Sequence, residues 1–335
     1  MTQHYPRIRP YGVSPPEKEA GERLLAREVI HFAFYMPHDH PDLSAGVSHA
    51  LDSYMKAVGE GPDTINACAF GYYNHGPLSE ERWRRIRELL RPDRPFRYAE
   101  DCTDPYRIRE MEKSGNETWI HLSNGHDRLS GFKLTYSARI PSRHREPSDY
   151  DVSYLEGMLP TEYLEEHGPA AVRGLMLNLA SSLHFASGHV GLSFDSVVGD
   201  VFFTPQIRTE LLRHPGVSLN HGSNPGWMGT RVDGVHRLNF LGPPVLQELG
   251  GVSSLRSRLH SLDTTVQAIN GVRAVVTLGD WPEAGDLSCG DDLPAYREFG
   301  RVLEPWLDKP FNDPRFRIEG FTQKESIGWA RRFIN

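Results

Sequence analysis

"EVIHFAFYMPHDHPDLSAGVSHALDSYMKAVGEG", residues 28–61, carries two hydrophobic periods in one stretch. Residues 28–36 are short, apolar and aromatic, and predict a buried strand. From Leu43 onward the apolar residues Leu43, Val47, Leu51, Tyr54, Met55 and Val58 recur at spacings of three and four. That spacing places them on one stripe of a helix, and Gly59 stands where a helix stops. The stretch therefore predicts strand, turn and helix, with "PHDHPD" (37–42) as the turn.

Moving outward, the same two periods persist without a regular alternation. "SEERWRRIRELLRP" (79–92) predicts an amphipathic helix buried through Trp83, Ile86, Leu89 and Leu90. "ETWIHLS" (117–123) and "FKLTYSARI" (132–140) alternate as antiparallel strands around a glycine-bearing turn. Thr161 opens a short helix, a longer one runs from about Ala170, and "HVGLSF" (189–194) reads as a strand. Thr204 and Pro205 form a helix start. "GVHRLNFLG", "TTVQAIN" and "VRAVVTLG" predict further strands, and "LPAYREFGRVLEPWL" and "TQKESIGWARRFI" closing helices. Strands and helices mixed in this way predict an α+β fold with mixed or antiparallel sheets packed by helices. The proline-broken, charged segment 141–150 is the best internal boundary. It divides residues 28–145 from 150–307, each with a helix beside several strands. A polar segment, 1–27, precedes them as a loosely packed entry, and a helical extension, 308–335, follows.

Composition narrows the function. The chain has 335 residues, 38% of them apolar, enough for a substantial core. Its net charge is −7, which disfavours wrapping a nucleic acid and favours a basic partner. Its three cysteines, Cys68, Cys102 and Cys289, are far apart and imply no disulfide framework. The N-terminal residues lack an apolar signal region, so a reducing, cytoplasmic setting is expected.

The chemical candidates are few. His38, His40 and Asp42 alternate as H-x-H-x-D, and alternate side chains on extended backbone can face one cation. A hydrolase built on that turn is one reading. The plainer reading is that Asp39 and Asp42 cap the next helix and complement its positive end, while Pro41 sets the turn. His121, His126, His184 and His189 are the available further ligands. No nucleophile motif or phosphate loop is present. The stretch "GDWPEAGDLSCGDDLPAY" (279–296) holds Glu283, Asp286, Asp291 and Asp292 on one glycine-punctuated loop. One of Asp291 and Asp292 is expected to cap the helix that follows; the rest exceed what a cap needs and could meet a basic surface. Trp281 on this loop and Trp227 in "NPGWMG" are candidate aromatic anchors, unless each folds back on the body.

The segments "EYLEEHGPAAVRGLMLNLASSLHFASGHVGLSF", "GVHRLNFLGPPVLQELGGVSSLRSRL" and "GDLSCGDDLPAYREFGRVLEPW", together with "VIHFAFYM" and "LDSYMKAVGEG", resemble the TsiV-like family of type VI secretion immunity proteins. The resemblance covers most of residues 28–307 and rests on the order and spacing of segments. It implies a non-enzymatic, cytoplasmic protein that binds a cognate secreted effector, a nuclease toxin, and blocks it. It supplies no catalytic residue and no cofactor. The partner-binding expectation therefore rests on Trp227, Trp281, Glu283, Asp286, Asp291 and Asp292, with no direct nucleic-acid or membrane contact. A metal-dependent hydrolase and an adaptor of the secretion apparatus are the alternatives.

Overall fold

The computed structural model describes residues 5–12, 23–70, 74–93, 104–106, 108–109, 116–125, 129–139, 152–196, 205–219, 228–308, 318 and 320–334. A short ladder, β1 (Tyr11–Gly12) with β2 (Arg23–Leu24), precedes the main sheet. The main sheet has eleven strands: β3 (Ala26–Met36), β4 (Ala67–Phe70), β5 (Asn74–Pro77), β6 (Asn116–Ser123), β7 (Lys133–Arg139), β8 (Ser153–Pro160), β9 (Ser187–Ser196), β10 (Val217–Ser218), β11 (Leu238–Leu241), β12 (Thr264–Ala268) and β13 (Ala274–Leu278). Among the described residues the helices are α1 (His40–Val58), α2 (Glu80–Leu89), α3 (Thr161–Ser181), α4 (Pro205–Arg213), α5 (Val245–Glu248), α6 (Gly251–Arg258), α7 (Pro294–Leu303) and α8 (Gln323–Ala330). The α+β expectation is met.

The strand order is β12-β13-β11-β9-β3-β8-β7-β6-β4-β5, antiparallel throughout, with β10 added in parallel to β9. β3 lies between β8 and β9, and β8 lies between β3 and β7. The two sequence halves thus exchange their first strands and share one sheet. The segment 141–150 lies outside the described residues, and β7 and β8, on either side of it, are paired neighbours.

Each helix that the apolar spacing predicts buries the expected stripe. α1 buries Leu43, Val47, Leu51 and Tyr54, and ends at Gly59, whose φ of 73° suits glycine. Asp39 occupies its N-cap but makes no capping bond; its carboxylate pairs with Arg139 Nε at 2.9 Å instead. α2 begins at Ser79, which accepts the Arg82 N–H. α3 is broken at Gly168 (φ 78°) ahead of Pro169, which produces the predicted short and long pieces. Thr161 does not cap it; the hydroxyl donates to Glu28 Oε1 at 3.1 Å. Thr204 lies outside the described residues.

Alternation decides which face is covered. Ile30, Phe32, Phe34 and Met36 of β3 join α1 and α3 in the larger core, with Leu122, Leu134, Leu155 and Phe240 from other strands. The rings of Phe32 and Phe34 sit over glycines on the flanking strands. A Cβ on Gly188 would fall 2.7 Å from Phe34 Cδ1, and one on Gly157 would strike Phe32. Beside a small cluster of Ala33, Tyr35 and Val152 near β3, a second core forms on the opposite face at the β11–β13 side. There Leu241, Ala274, Val276 and Leu278 meet Val245, Leu255, Tyr296 and Phe299 of α5, α6 and α7.

The described residues of the terminal segments pack against the body of the fold. Tyr5 and Ile8 are buried in the larger core. Arg7 and Arg9 reach the buried Glu28 at 2.7 and 2.9 Å, and Glu28 also accepts the Ile8 N–H. At the other end Ile318, Phe321 and Trp329 join the larger core, and Phe333 joins the second. The physical reason is that a buried carboxylate needs nearby cations, and the N-terminal arginines supply them.

Candidate functional site

Two places on the described surface concentrate polar chemistry. The first is the acidic loop. His214, near the end of α4, holds this loop through contacts to the Gly285 carbonyl (2.5 Å) and to Glu210 (3.1 Å). The Gly216 N–H bonds to the Ala284 carbonyl. The loop turns through a single 3-10 turn, Leu287–Cys289, that Asp286 caps by accepting the Ser288 N–H at 2.9 Å. Arg213 grips the same carboxylate at 2.5 Å; it and Ser288 hold Asp286 far below the usual carboxylate range. A cleft of about 570 Å³ lies between this loop, the N-terminal segment and α4. Glu210, Glu283, Asp286 and Asp291 line it, against Arg7 and Arg213.

The six predicted contact residues separate. Glu283, Asp286 and Asp291 share the cleft wall, and Glu283 and Asp291 are exposed. Asp292 turns to Arg297 Nε at 2.9 Å. Neither Asp291 nor Asp292 caps α7; that helix begins at Leu293 (φ 56°) without a side-chain cap. Trp281 is half-buried against the larger core, the folded-back arrangement. Trp227 lies outside the described residues.

The second place is on the sheet face opposite α1, where β3 and β9 meet. His31 and Tyr35 point there from β3, alternating with Phe32 and Phe34 on the other side. His189 projects from β9 and Glu156 from β8, since both pair with Ala33. The segment Met228–Arg237 covers them, held by the Ser187 hydroxyl on the Arg231 carbonyl (2.6 Å) and by a parallel bridge from Val232 to Leu307. Asn239 clamps the backbone of His236 twice, at 2.9 and 2.6 Å. The result is a connected polar cluster. Glu156 lies 3.6 Å from His31, His31 Nδ1 is 3.0 Å from His189 Nε2, and His189 Nδ1 is 2.9 Å from Asp233 Oδ2. Asp233 Oδ1 is 3.6 Å from His236 Nε2, and the Tyr35 hydroxyl donates to Asp233 Oδ2 at 2.9 Å.

The electrostatics follow from burial. Desolvation pushes the His189 imidazolium down, with Asp233 acting against it. Desolvation also opposes the Asp233 charge, yet His189 and His236 outweigh it and hold that carboxyl well below its ordinary range. Burial, then Asp233, raises the Tyr35 phenol, so it remains a donor. Burial lowers Arg332, beneath this cluster, to about 9.

The H-x-H-x-D residues are not gathered. His40 is buried in the first turn of α1 with both ring nitrogens engaged, by Tyr136 (3.0 Å) and the Arg91 carbonyl (3.2 Å). Desolvation lowers its pKa, as it does that of His38, which meets the ring edge of His184. Asp42 is exposed on the first turn. His40 lies on the helix, so the extended alternation that H-x-H-x-D requires ends before it. His121 bonds Thr135 (2.9 Å), and His126 lies outside the described residues. Of the described ligand-type histidines read from the sequence, His189 is the one that enters the polar cluster. His31, Asp233 and His236 were not anticipated. The signal for His31 was available: one histidine within the apolar run 29–36, at a position facing away from its phenylalanines.

No helix among the described residues is long and apolar enough to cross a membrane. No curated protein matches the chain. A solved structure titled "Pseudomonas aeruginosa T6SS protein PA0821" superposes with a TM-score of 0.70 at 15% identity, covering 96% of this chain and 87% of that one. At that identity the likeness establishes the fold. The family model described as "TsiV: Type VI immunity for VRR-NUC" matches residues 108–333, from before β6 through α8. That span takes in the second core, the acidic loop, His189, Asp233, His236 and the C-terminal helix, while β3 and α1 precede it; it exceeds half of the chain, and the chain therefore belongs to the TsiV family of type VI immunity proteins.

Proposed function

We propose that this immunity protein neutralises its cognate VRR-NUC effector by covering it, with the acidic cleft as the contact that meets the nuclease's basic groove. The family match carries the reading. Charge supports the choice of surface. A nuclease must present cations to phosphate, and a carboxylate-lined cleft on a protein of net charge −7 can occupy those cations and steer the encounter. Asp286 and Asp292 are neutralised locally by Arg213 and Arg297. Glu283 and Asp291 are exposed on the rim of the cleft, where an approaching partner can reach them. The interaction needs no bond made or broken by this chain and no cofactor.

The test is co-expression with the effector encoded beside it, followed by binding kinetics. The wild-type chain protects cells and forms a one-to-one complex. Glu283→Lys with Asp291→Lys lowers the association rate roughly tenfold at low salt and flattens its salt dependence. Unchanged rate and salt slope would place the interface elsewhere. Failure of the wild-type chain to bind or protect, with capture of a secretion-apparatus component in its place, would favour the adaptor reading.

A further inference from the structure

We propose that His189, Asp233 and His236 form a divalent transition-metal site, best suited to Zn(II), that fastens the 233–236 turn to β9. Among the described residues these three bring their ligand atoms within 4.8 Å of one another. Two imidazoles and one carboxylate make a familiar zinc donor set, with a further position left for water.

The arrangement around the three is the stronger argument. Each candidate ligand also meets a second residue, and for the two histidines that contact is on the ring nitrogen away from Asp233. His189 Nε2 meets His31 Nδ1 at 3.0 Å. Asp233 Oδ2 accepts the Tyr35 hydroxyl at 2.9 Å. His236 Nδ1 meets the Ser218 hydroxyl at 3.4 Å, and Ser218 is in turn 3.5 Å from Arg332. Outer partners of this kind fix ring orientation and tautomer at metal centres. What remains facing inward is His189 Nδ1, His236 Nε2 and the carboxylate.

A second observation points to a cation. His189 is 2% exposed, and its Nδ1 has no hydrogen-bond partner although Asp233 Oδ2 lies 2.9 Å away. A buried nitrogen and a carboxylate oxygen held this near share either a proton or a metal ion, and the experiment below separates the two. Separations of 2.9 and 3.6 Å between the donor atoms bracket the spacing of ligands about 2.0–2.2 Å from a shared tetrahedral ion.

One adjustment is required. The His189 and His236 rings are stacked, with centroids 3.9 Å apart and planes 14° from parallel. An ion cannot lie in both ring planes until one ring turns. His236 is the ring bordered by glycines, and their lack of a Cβ is what lets it sit this close to the backbone. A Cβ on Gly191 would come within 3.0 Å of its Nδ1, and one on Gly234 within 3.2 Å of its Nε2. Asp233 retains about a fifth of its side chain exposed, which gives the ion an entry path.

The experiment uses the full chain, stripped with a chelator and titrated with Zn(II) by calorimetry and with Co(II) by visible absorption. The expected result is one ion per chain and a tetrahedral Co(II) spectrum. His236→Ala and Asp233→Asn should each lower affinity at least a hundredfold. Tyr35→Phe, which removes only an outer partner, should lower it roughly tenfold and keeps the test valid if a ligand variant fails to fold. His38→Ala should leave stoichiometry and affinity unchanged. No saturable binding at a tenfold excess of either ion would overturn the proposal. So would equal binding by the wild type and a His189→Ala/His236→Ala double variant, or ring-nitrogen NMR showing that a proton alone neutralises the cluster under these conditions.

Discussion

The two wings of the sheet start alike and finish differently. Each half opens with a long strand followed by a helix, β3 with α1 and β8 with α3, and both helices cover the same face. Beyond β8 the wing β7-β6-β4-β5 alternates. Leu134, Tyr136, Ile120 and Leu122 face the helices, while Thr135 and His121 face away. Beyond β3 the wing β9-β11-β13-β12 is apolar on both sides at β11 and β13; Phe240 and Val275 join one core, Leu241 and Val276 the other. Strands apolar on two faces must be covered on two faces, and α5, α6 and α7 form an extra layer there. The His–Asp cluster sits at the seam, where the second face changes from polar to apolar.

That contrast can be broken by mutation. The largest loss is expected from Phe240→Ala, since Phe240 packs against Phe34 and Phe185 at the heart of the doubly covered wing; about 3–5 kcal/mol should disappear in denaturant unfolding. A more discriminating pair tests the second face itself. Val276→Ala should cost about 2 kcal/mol, and Thr135→Ala, on the same face of the other wing, less than about 1. Equal costs would mean that both wings are covered alike.

The seam strand β3 offers an electrostatic test. Glu28 has its pKa lowered: burial opposes ionisation, and Arg9 and Arg7 outweigh it. A carboxylate with a depressed folded-state pKa adds stability above its unfolded pKa of about 4.3 and loses that contribution as pH falls. Stability should therefore decline below about pH 5. Glu28→Gln should cost about 1–3 kcal/mol at pH 7, discounted because both arginines are one-third exposed, and should flatten the acid limb. The smallest effect belongs to His38→Ala, expected to stay within about 0.5 kcal/mol and to leave protection by the protein unchanged.

Much of this was legible in the chain. Residues 28–61 announced strand, turn and helix because burial of one stripe or one face imposes a period on the residues themselves. The acidic loop was legible as composition, and its cleft-facing members Glu283, Asp286 and Asp291 do lie together. The histidine cluster was not. His31, His189 and Asp233 stand far apart in the chain, and nothing local marks residues that meet only after β3 inserts between β8 and β9.

The sequence by itself determined the elements, the mixed fold class and the family, since each is written in local periodicity or in the order of segments. Tertiary structure alone decided the exchange of first strands, the pairing of Asp286 and Asp292 with arginines, and the gathering of His189, Asp233 and His236. The physical reason is that periodicity fixes which face a residue takes, whereas a site depends on which strand lies beside it.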